Sequence, residues 1–281
     1  MKKTVLILAA IIFCLSGIHA NEPEITDKKS ENIMMQTEDL VLRDVPYGES
    51  PRQKLDVFLP DGRSSRTKVV LLIPGGGWIG GDKGGFEGAA TVFADSSIAA
   101  FTMNYRYANI SDGVTYVEML ADIDSAISFI ISKSDEYIFD PEQICLFGHS
   151  AGAHLALLYT YRNNDNRVNN VVSLAGPSDL RDPVMLSMPT GIMTIFYSLM
   201  GNMDVCTWED AGPINHVNAI TSLLYHGTED EIIPYHQSEV LFNKIKDLNP
   251  KNRLDIIEGG GHGFASEDMT RAINETVELI K

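Results

Sequence analysis

Residues 148–152 read GHSAG, a serine framed by two glycines. Ser150 follows the apolar run ICLF and precedes the helical run AHLALL, so the sequence predicts a strand, a sharp turn and a helix. Such a turn exposes a serine hydroxyl as a nucleophile, and its close backbone contacts favour glycine at Gly148 and Gly152. The amide of Ala151 would lie at the helix N-terminus, where it can stabilise developing negative charge. Nucleophilic catalysis at Ser150 competes here with a simpler interpretation, a small residue between strand and helix.

A glycine-rich loop after an earlier apolar run offers further backbone donors. KVVLLI, residues 68–73, is followed by PGGGWIGGDK, residues 74–83, which we call the glycine loop. Three consecutive glycines let amides turn toward one point without side chains in the way, as an oxyanion hole requires. A phosphate-binding loop is one alternative, but the segment has no G-K-S/T ending and no GxGxxG spacing. A plain flexible turn is the other alternative.

A general base has to be chosen among six histidines that lie beyond the first twenty residues. His262 lies in GGGHGF, between the strand-like run LDIIE and the last predicted helix. That loop would present an imidazole at the sheet edge with room to reach Ser150, and a pKa near 7 suits a general base. We interpret the other histidines as structural, packing or pocket-lining residues: His149, His154, His216, His226 and His236. Among these, His226 is expected to brace the turn that follows it.

The acid that orients this base should follow another strand. After SLLYHG come Thr228, Glu229, Asp230 and Glu231. Asp230 is the best placed of the three acids, and a merely solvated acidic turn is the alternative. Serine before it and histidine after it favour the catalytic interpretation, because Ser, Asp, His is the chain order of α/β-hydrolases.

The elements that must position these residues are short β-type runs alternating with helical patterns. The predicted strands are Gln53–Leu59, Lys68–Ile73, Ile98–Tyr105, Gln143–Phe147, Val168–Leu174, Ser222–Tyr225 and residues 254–258. The predicted helices are Val117–Ile131, Ala151–Tyr161, Tyr235–Leu248 and Ser266–Ile280. This alternation predicts an α/β fold with a largely parallel sheet wrapped by helices, and ligands bind beyond the carboxyl ends of such strands.

Residues 181–221 interrupt the alternation. They separate two predicted strands by about forty residues, whereas typical connections have roughly 4–6. The segment is rich in methionine, which is typical of an adaptable cap over a binding site. A core helix with a loop on either side is an equally good interpretation.

Composition and charge exclude several classes of function. The chain has 281 residues and a formal net charge of −16, so a nucleic-acid partner is not expected, because phosphate binding needs a basic surface. No histidine or cysteine spacing resembles a zinc site, and no metal or organic cofactor is implied.

The N-terminus has the pattern of an export signal. Two lysines precede an apolar run, and small residues end at Ala20 before a polar stretch. This pattern predicts a signal peptide over 1–20, cleaved after Ala20, then a loose leader over 21–36 and a folded domain over 37–281. We expect a secreted or periplasmic protein that does not insert in the membrane after cleavage.

With these residues assembled, the chain resembles α/β-hydrolase carboxylesterases of the hormone-sensitive-lipase-like type, above all bacterial esterases that remove acetyl and feruloyl groups from xylan. The resemblance runs from about Tyr47 to the C-terminus and rests on phrases in the right order: YGESPRQKLDVFLP, PGGGWIGGDK, MNYRYA, FDPEQICLFGHSAGAHLALL, GPINHV, HGTEDEIIP and GGGHGF. One departure is Pro74, which stands where that family usually has histidine. Proline fixes φ and removes a backbone donor, so it either stiffens the loop or shifts its aim.

The resemblance implies a serine esterase acting through an acyl-enzyme. Ser150 would be the nucleophile, His262 the base and Asp230 the orienting acid. Gly76, Gly77 and Ala151 would supply the oxyanion amides. Candidate substrate contacts are Trp78, Tyr105 and His149, with a place in the core as the alternative. The competing functions are an exopeptidase of the prolyl-oligopeptidase group and a non-catalytic binding protein on the same fold.

Overall fold

The computed structural model describes residues 38–142, 144–163, 165–187, 192–202 and 204–281. The predicted signal peptide and leader lie outside these ranges, as does Gln143, the predicted first residue of a strand. Across the ranges described, no helix combines the length and apolarity that a bilayer crossing requires.

A single sheet organises the described chain. Its eight strands are β1 (Leu40–Pro46), β2 (Lys54–Leu59), β3 (Val69–Ile73), β4 (Ala99–Met103), β5 (Ile144–His149), β6 (Val168–Leu174), β7 (Thr221–Gly227) and β8 (Arg253–Ile257), in the order β1-β2-β4-β3-β5-β6-β7-β8. β2 runs antiparallel to both β1 and β4, and all other pairings are parallel. The predicted parallel sheet is therefore confirmed, and the carboxyl ends of its six parallel strands share one edge.

Helices cover both faces of the sheet. Within the described ranges they are α1 (Glu87–Asp95), α2 (Tyr116–Ser132), α3 (Ser134–Tyr137), α4 (Ala151–Arg162), α5 (Pro183–Leu186), α6 (Ile192–Met200), α7 (Val205–Asp210), α8 (His236–Ile245) and α9 (Ser266–Ile280). α2 begins one residue earlier than its periodicity predicted, because Thr115 and Glu118 form a capping box. α8 is shorter than predicted at both ends, while α9 has its predicted bounds.

Several elements were not predicted, among them β1, α1 and the short helix α3. The edge strand β1 is mostly exposed, so its sequence LVLRDVP carries no clear alternation. α1, EGAATVFAD, is rich in small residues and gives only a weak helical pattern. β4 also ends at Met103, so Tyr105 lies beyond the strand in which it was placed.

Alternate residues of each central strand enter two hydrophobic clusters. In β3, Leu71 belongs to one cluster and Val70 to the other, as the two-residue period of a strand requires. The Leu71 cluster includes side chains of α2, α4 and α8, and the Val70 cluster includes side chains of α1 and α9. Both faces of the sheet are thus buried against helices, and this packing fixes the position of the carboxyl edge.

The connection between β6 and β7 contains α5, α6 and α7, and we call residues 181–220 the insertion. Phe196 and Trp208 are buried within it, with ring centroids 5.7 Å apart. Phe196 also packs against Trp78 of the glycine loop, at 5.8 Å between centroids. The insertion therefore contributes side chains to the hydrophobic cluster that contains Leu71. Its function as a cap stays a prediction.

Candidate active site

The turn after β5 holds Ser150 in an unusual backbone conformation. Ser150 has φ 53° and ψ −121°, a conformation that non-glycine residues rarely adopt. Its amide donates to the carbonyl of Leu174 in β6 at 2.8 Å, which anchors the turn to the neighbouring strand. A Cβ at Gly152 would lie 2.1 Å from the carbonyl oxygen of Ile73, so a side chain there would displace the β3 end. The strand, sharp turn and helix predicted from GHSAG are all present.

Three loops at the carboxyl edge bring the predicted triad residues together. The Nε2 atom of His262 lies 2.9 Å from Ser150 Oγ. The Nδ1 atom of the same ring lies 2.7 Å from Asp230 Oδ2. The imidazole therefore bridges a hydroxyl and a carboxylate, an arrangement in which it can accept a proton from the hydroxyl while the carboxylate stabilises the resulting charge.

Asp230 is held in place by several donors within its own turn. Its Oδ1 accepts from the amides of Ile232 and Ile233 at 2.9 and 2.8 Å. Burial by itself would raise the pKa of Asp230, but hydrogen bonds from His226, His262 and the Ile233 amide outweigh it and lower the pKa below its usual range. Its side chain is fully buried, whereas the rival acids Glu229 and Glu231 are exposed.

His226 and His149 each support a member of this triad. His226 Nε2 lies 2.9 Å from the Ile233 carbonyl oxygen and 3.2 Å from Asp230 Oδ2, so His226 braces the acidic turn as expected. His149 Nε2 donates to the His262 carbonyl at 2.8 Å, which fixes the backbone of the candidate base. Burial is the main cause that lowers the pKa of His149. The contact between His226 and Asp230 could not be predicted from their spacing in the sequence, because the sequence does not show where the His226 ring points.

The glycine loop passes directly beside Ser150. A Cβ at Gly75 would lie 3.1 Å from Ser150 Cβ. Gly76 has φ 122° and Gly77 has φ 58°, so the loop needs glycine at least at Gly76, where a Cβ would lie 2.3 Å from the Gly80 carbonyl. Within the described part of the chain, neither amide donates a hydrogen bond to the protein, and the amide of Ala151 is a first-turn donor of α4. These amides are available to a ligand.

Pro74 and the far end of the loop are fixed by side chains from beyond β4 and from the β1–β2 turn. Tyr105 Oη donates to the Pro74 carbonyl at 3.1 Å. Arg52 Nη2 donates to the Gly81 carbonyl at 3.1 Å, and Tyr107 Oη donates to the same oxygen. Pro74 therefore keeps the hydrogen-bonding group that its neighbours use, its carbonyl, and the proline ring removes only a donor.

A cavity of about 490 Å³ opens over Ser150 and His262. One wall consists of Trp78, Ile195 and Ile233, which belong to or pack on one core cluster. The opposite wall consists of Phe86 and Met269, which belong to or pack on the other. An ester carbonyl at Ser150 would thus have an apolar surface on either side.

The three candidate substrate contacts differ in position. His149 lines the cavity and is half-buried. Trp78 lines it too, although its side chain is 2% exposed and its indole is hydrogen-bonded to His154. Tyr105 does not line the cavity: it is 1% exposed and its hydroxyl is used by Pro74, so its expected contact with substrate is corrected to support of the glycine loop.

Sequence reasoning missed part of the cavity wall. Ile195 projects from α6 to within 3.9 Å of where a Gly77 Cβ would lie. The methionine-rich segment pointed to this region but not to this residue. Phe86 and Met269 gave no signal, because an apolar residue at a helix end looks the same whether it faces the core or a cavity.

The strand order, with a serine at the sharp turn after β5 and histidine after β8, defines the chain as an α/β-hydrolase. The sequence model of the BD-FAE family matches residues 55–245. The chain belongs to the BD-FAE family of α/β-hydrolase esterases.

Curated relatives are named as esterases. The chain is 28% identical over 266 residues to a protein of Arabidopsis thaliana named probable isoprenylcysteine alpha-carbonyl methylesterase, covering 85% of this chain and 55% of that one. It is 26% identical over 251 residues to an esterase of Mycobacterium tuberculosis, covering 82% and 61%. The chain spans little more than half the length of the first of these relatives.

Solved structures share the fold. A bifunctional GH43-CE protein of Bacteroides eggerthii superposes with a TM-score of 0.74 at 23% identity, covering 86% of this chain and 38% of that one. A truncated carbohydrate esterase from gut microbiota gives 0.71 at 21% identity, covering 88% and 96%.

Proposed function

We propose that this chain is a serine carboxylesterase that works through an acyl-enzyme. The observation that carries the proposal is the bridge of His262 between Ser150 Oγ and Asp230 Oδ2. Ser150 attacks the ester carbonyl while His262 Nε2 takes the hydroxyl proton, and the charged Asp230 stabilises the imidazolium. His262 then gives this proton to the departing alcohol oxygen.

The carbonyl oxygen carries a negative charge in the tetrahedral intermediate, and we assign its stabilisation to the amides of Gly76, Gly77 and Ala151. Collapse of that intermediate expels the alcohol and leaves the acyl group on Ser150. Water then attacks the acyl carbonyl, again losing its proton to His262, and the acid departs as Ser150 regains its proton. Backbone amides, three side chains and water supply the groups that these steps use.

The proposed substrates are esters with small acyl groups, with acetyl or feruloyl groups on plant polysaccharide as the first candidates. The apolar cavity of about 490 Å³ suits a small or aromatic acyl group. A carbohydrate esterase from gut microbiota is among the structurally similar proteins. Action outside the cytoplasm completes the proposal and rests on the predicted signal peptide, which N-terminal sequencing of the exported protein would test.

A substrate panel tests the proposal. We expect the protein without residues 1–20 to hydrolyse p-nitrophenyl acetate and acetylated or feruloylated oligosaccharides, and to leave proline p-nitroanilide and long-chain esters nearly untouched. Ser150→Ala should remove this activity, whereas Ser132→Ala, a change at an exposed serine, should retain it. Cleavage of the anilide alone would favour the exopeptidase, and no turnover with unchanged ester affinity would favour the binding protein.

A further inference from the structure

His154 lies in the helix that follows Ser150 and contacts both the glycine loop and the insertion. It lies in α4, and its amide donates to the Ser150 carbonyl at 3.0 Å. Its Nδ1 is 3.2 Å from the indole Nε1 of Trp78 in the glycine loop. Its Nε2 is 2.8 Å from the carbonyl oxygen of Ala211 in the insertion. One imidazole therefore connects the nucleophile helix, the glycine loop and the insertion.

The partners of this ring determine its protonation state. An indole nitrogen only donates, so Nδ1 of His154 has to accept, and a carbonyl only accepts, so Nε2 has to carry the proton. Only the neutral imidazole satisfies both contacts. Because the ring is fully buried, its pKa is lowered to about 4, and it stays neutral at any pH at which the triad would work.

The residue that His154 holds is next to a proposed oxyanion donor. Trp78 follows Gly77 directly and has φ 61°, a left-handed conformation that is unfavourable for tryptophan. Such a conformation persists only where the surroundings hold it. The backbone carbonyl of Trp78 accepts from Ala108 at 2.9 Å, and the indole bond to His154 provides a second anchor at the side chain.

We propose that His154 is a positioning residue that sets the distance between Ser150 and the Gly77 amide by holding Trp78. The inference rests on the proposed esterase function and adds a residue to it. The bond lies between neutral groups and away from the reacting atoms. The Gly77 amide is assigned to the oxyanion, which forms only after Ser150 attacks. Loss of the bond should therefore weaken stabilisation of the transition state more than binding of the substrate.

The test combines variants at both ends of the bond. His154→Leu removes the acceptor, Trp78→Phe removes the donor and keeps a ring, and His154→Gln retains one acceptor and one donor. We expect His154→Leu and Trp78→Phe each to lower kcat on p-nitrophenyl acetate about tenfold, with KM within about twofold. His154→Gln should recover most of the loss, and the double variant should be no worse than His154→Leu alone.

A transition-state analogue separates positioning from general loosening. A trifluoromethyl ketone that adds to Ser150 forms the oxyanion, so its Ki should rise in His154→Leu by the factor that kcat/KM falls. Trp208→Phe is the matched control, since its indole donates to Asn202 inside the insertion and not to the glycine loop. That variant should keep wild-type kcat and Ki.

Each other outcome overturns the inference. Unchanged kcat in folded His154→Leu or Trp78→Phe, multiplying losses in the double variant, or an equal loss in Trp208→Phe would all contradict it. Should His154→Leu not fold, Trp78→Phe breaks the same bond from the other side. A wild-type protein that hydrolyses no ester would overturn the proposed function as well, whereas an active wild type with an unaffected Trp78→Phe would overturn only this inference.

Discussion

The acid turn, residues 226–233, and the glycine loop, residues 74–83, are held by different kinds of interaction. Asp230 in the acid turn is fixed by amides two and three residues ahead and by a histidine four residues behind. The glycine loop is fixed by Tyr105, Arg52, Tyr107 and His154, which lie 26 to 76 residues away in sequence. The acid turn thus organises itself locally around a charge, while the loop depends on groups distant in sequence, both neutral ones and, at Lys83, the carboxylates of Asp44 and Asp56.

This difference indicates how each region should respond to change. A substitution that removes a charged group with several local donors should have a large effect, because the donors lose their charged acceptor. A loop held by separate anchors shares its support, so losing one anchor should cost a modest factor. Only a change in the loop backbone itself should approach the effect of a change in the acid turn.

The largest effect is expected for Asp230→Asn. The amide keeps the shape of the side chain but cannot stabilise an imidazolium, so kcat should fall by about 10⁴. Steady-state hydrolysis of p-nitrophenyl acetate measures this fall. Glu229→Gln, which neutralises an exposed neighbouring acid, is the control. A comparable loss in the control would mean that the acid was assigned to the wrong residue.

Gly76→Ala comes next, because it disturbs the loop without touching the triad. The new Cβ would meet the Gly80 carbonyl carbon at 2.3 Å, and φ at this position is 122°. We expect kcat to fall by about 10²–10³, the usual result of losing an oxyanion donor. Gly88→Ala in α1, where a Cβ has open space, should leave kcat unchanged. An active Gly76→Ala variant would remove the loop from the mechanism.

Acid should act differently on His154, an anchor of the glycine loop, and on Asp230 in the acid turn. Burial lowers the pKa of His154 to about 4 from its ordinary value near 6.5, so the unfolded chain gains a proton between these pH values and the folded chain does not. Stability attributable to His154 is therefore complete above pH 6.5 and falls by about 3 kcal/mol as the pH approaches 4. Asp230, with its lowered pKa, keeps its charge over this range.

Urea unfolding at pH 7 and pH 4.5 checks this sign. His154→Gln should lose less stability than the wild type between these pH values, by about 2–3 kcal/mol. His236→Gln, a change at a side chain that is 45% exposed, should follow the wild type. Parallel losses in the wild type and His154→Gln would show that His154 is not buried in its neutral form.

The smallest effect is expected for Tyr105→Phe. It removes one neutral hydrogen bond to Pro74 and should lower kcat about fivefold, in line with about 1 kcal/mol for such a bond. Tyr161→Phe removes a similarly buried hydroxyl whose partner is Ser222, far along the chain from the loop, and should not change kcat. Equal rates for both variants and the wild type would show that the other anchors suffice.

The two regions also differ in how far the sequence predicts them. GHSAG is a local pattern, and the chain order of Ser150, Asp230 and His262 can be compared directly with that of α/β-hydrolases; the structure brings those three side chains together. The phrase PGGGW predicted a loop with free amides but not its anchors, because hydrogen bonds across 26 to 76 residues leave no spacing to read. Tyr105 was expected at the substrate because an aromatic residue at the end of a strand has the same sequence pattern in the core as at a cavity. The parallel sheet was predicted from alternating runs, whereas the exposed edge strand β1 was not.

Mass spectrometry of the protein treated with a fluorophosphonate tests the central claim most directly. If Ser150, His262 and Asp230 form a working triad, a single adduct will form on Ser150 in folded protein, slow by orders of magnitude in Asp230→Asn, and not form in urea. A folded protein that gains no adduct, or gains it at another serine at the same rate in Ser150→Ala, would contradict the account.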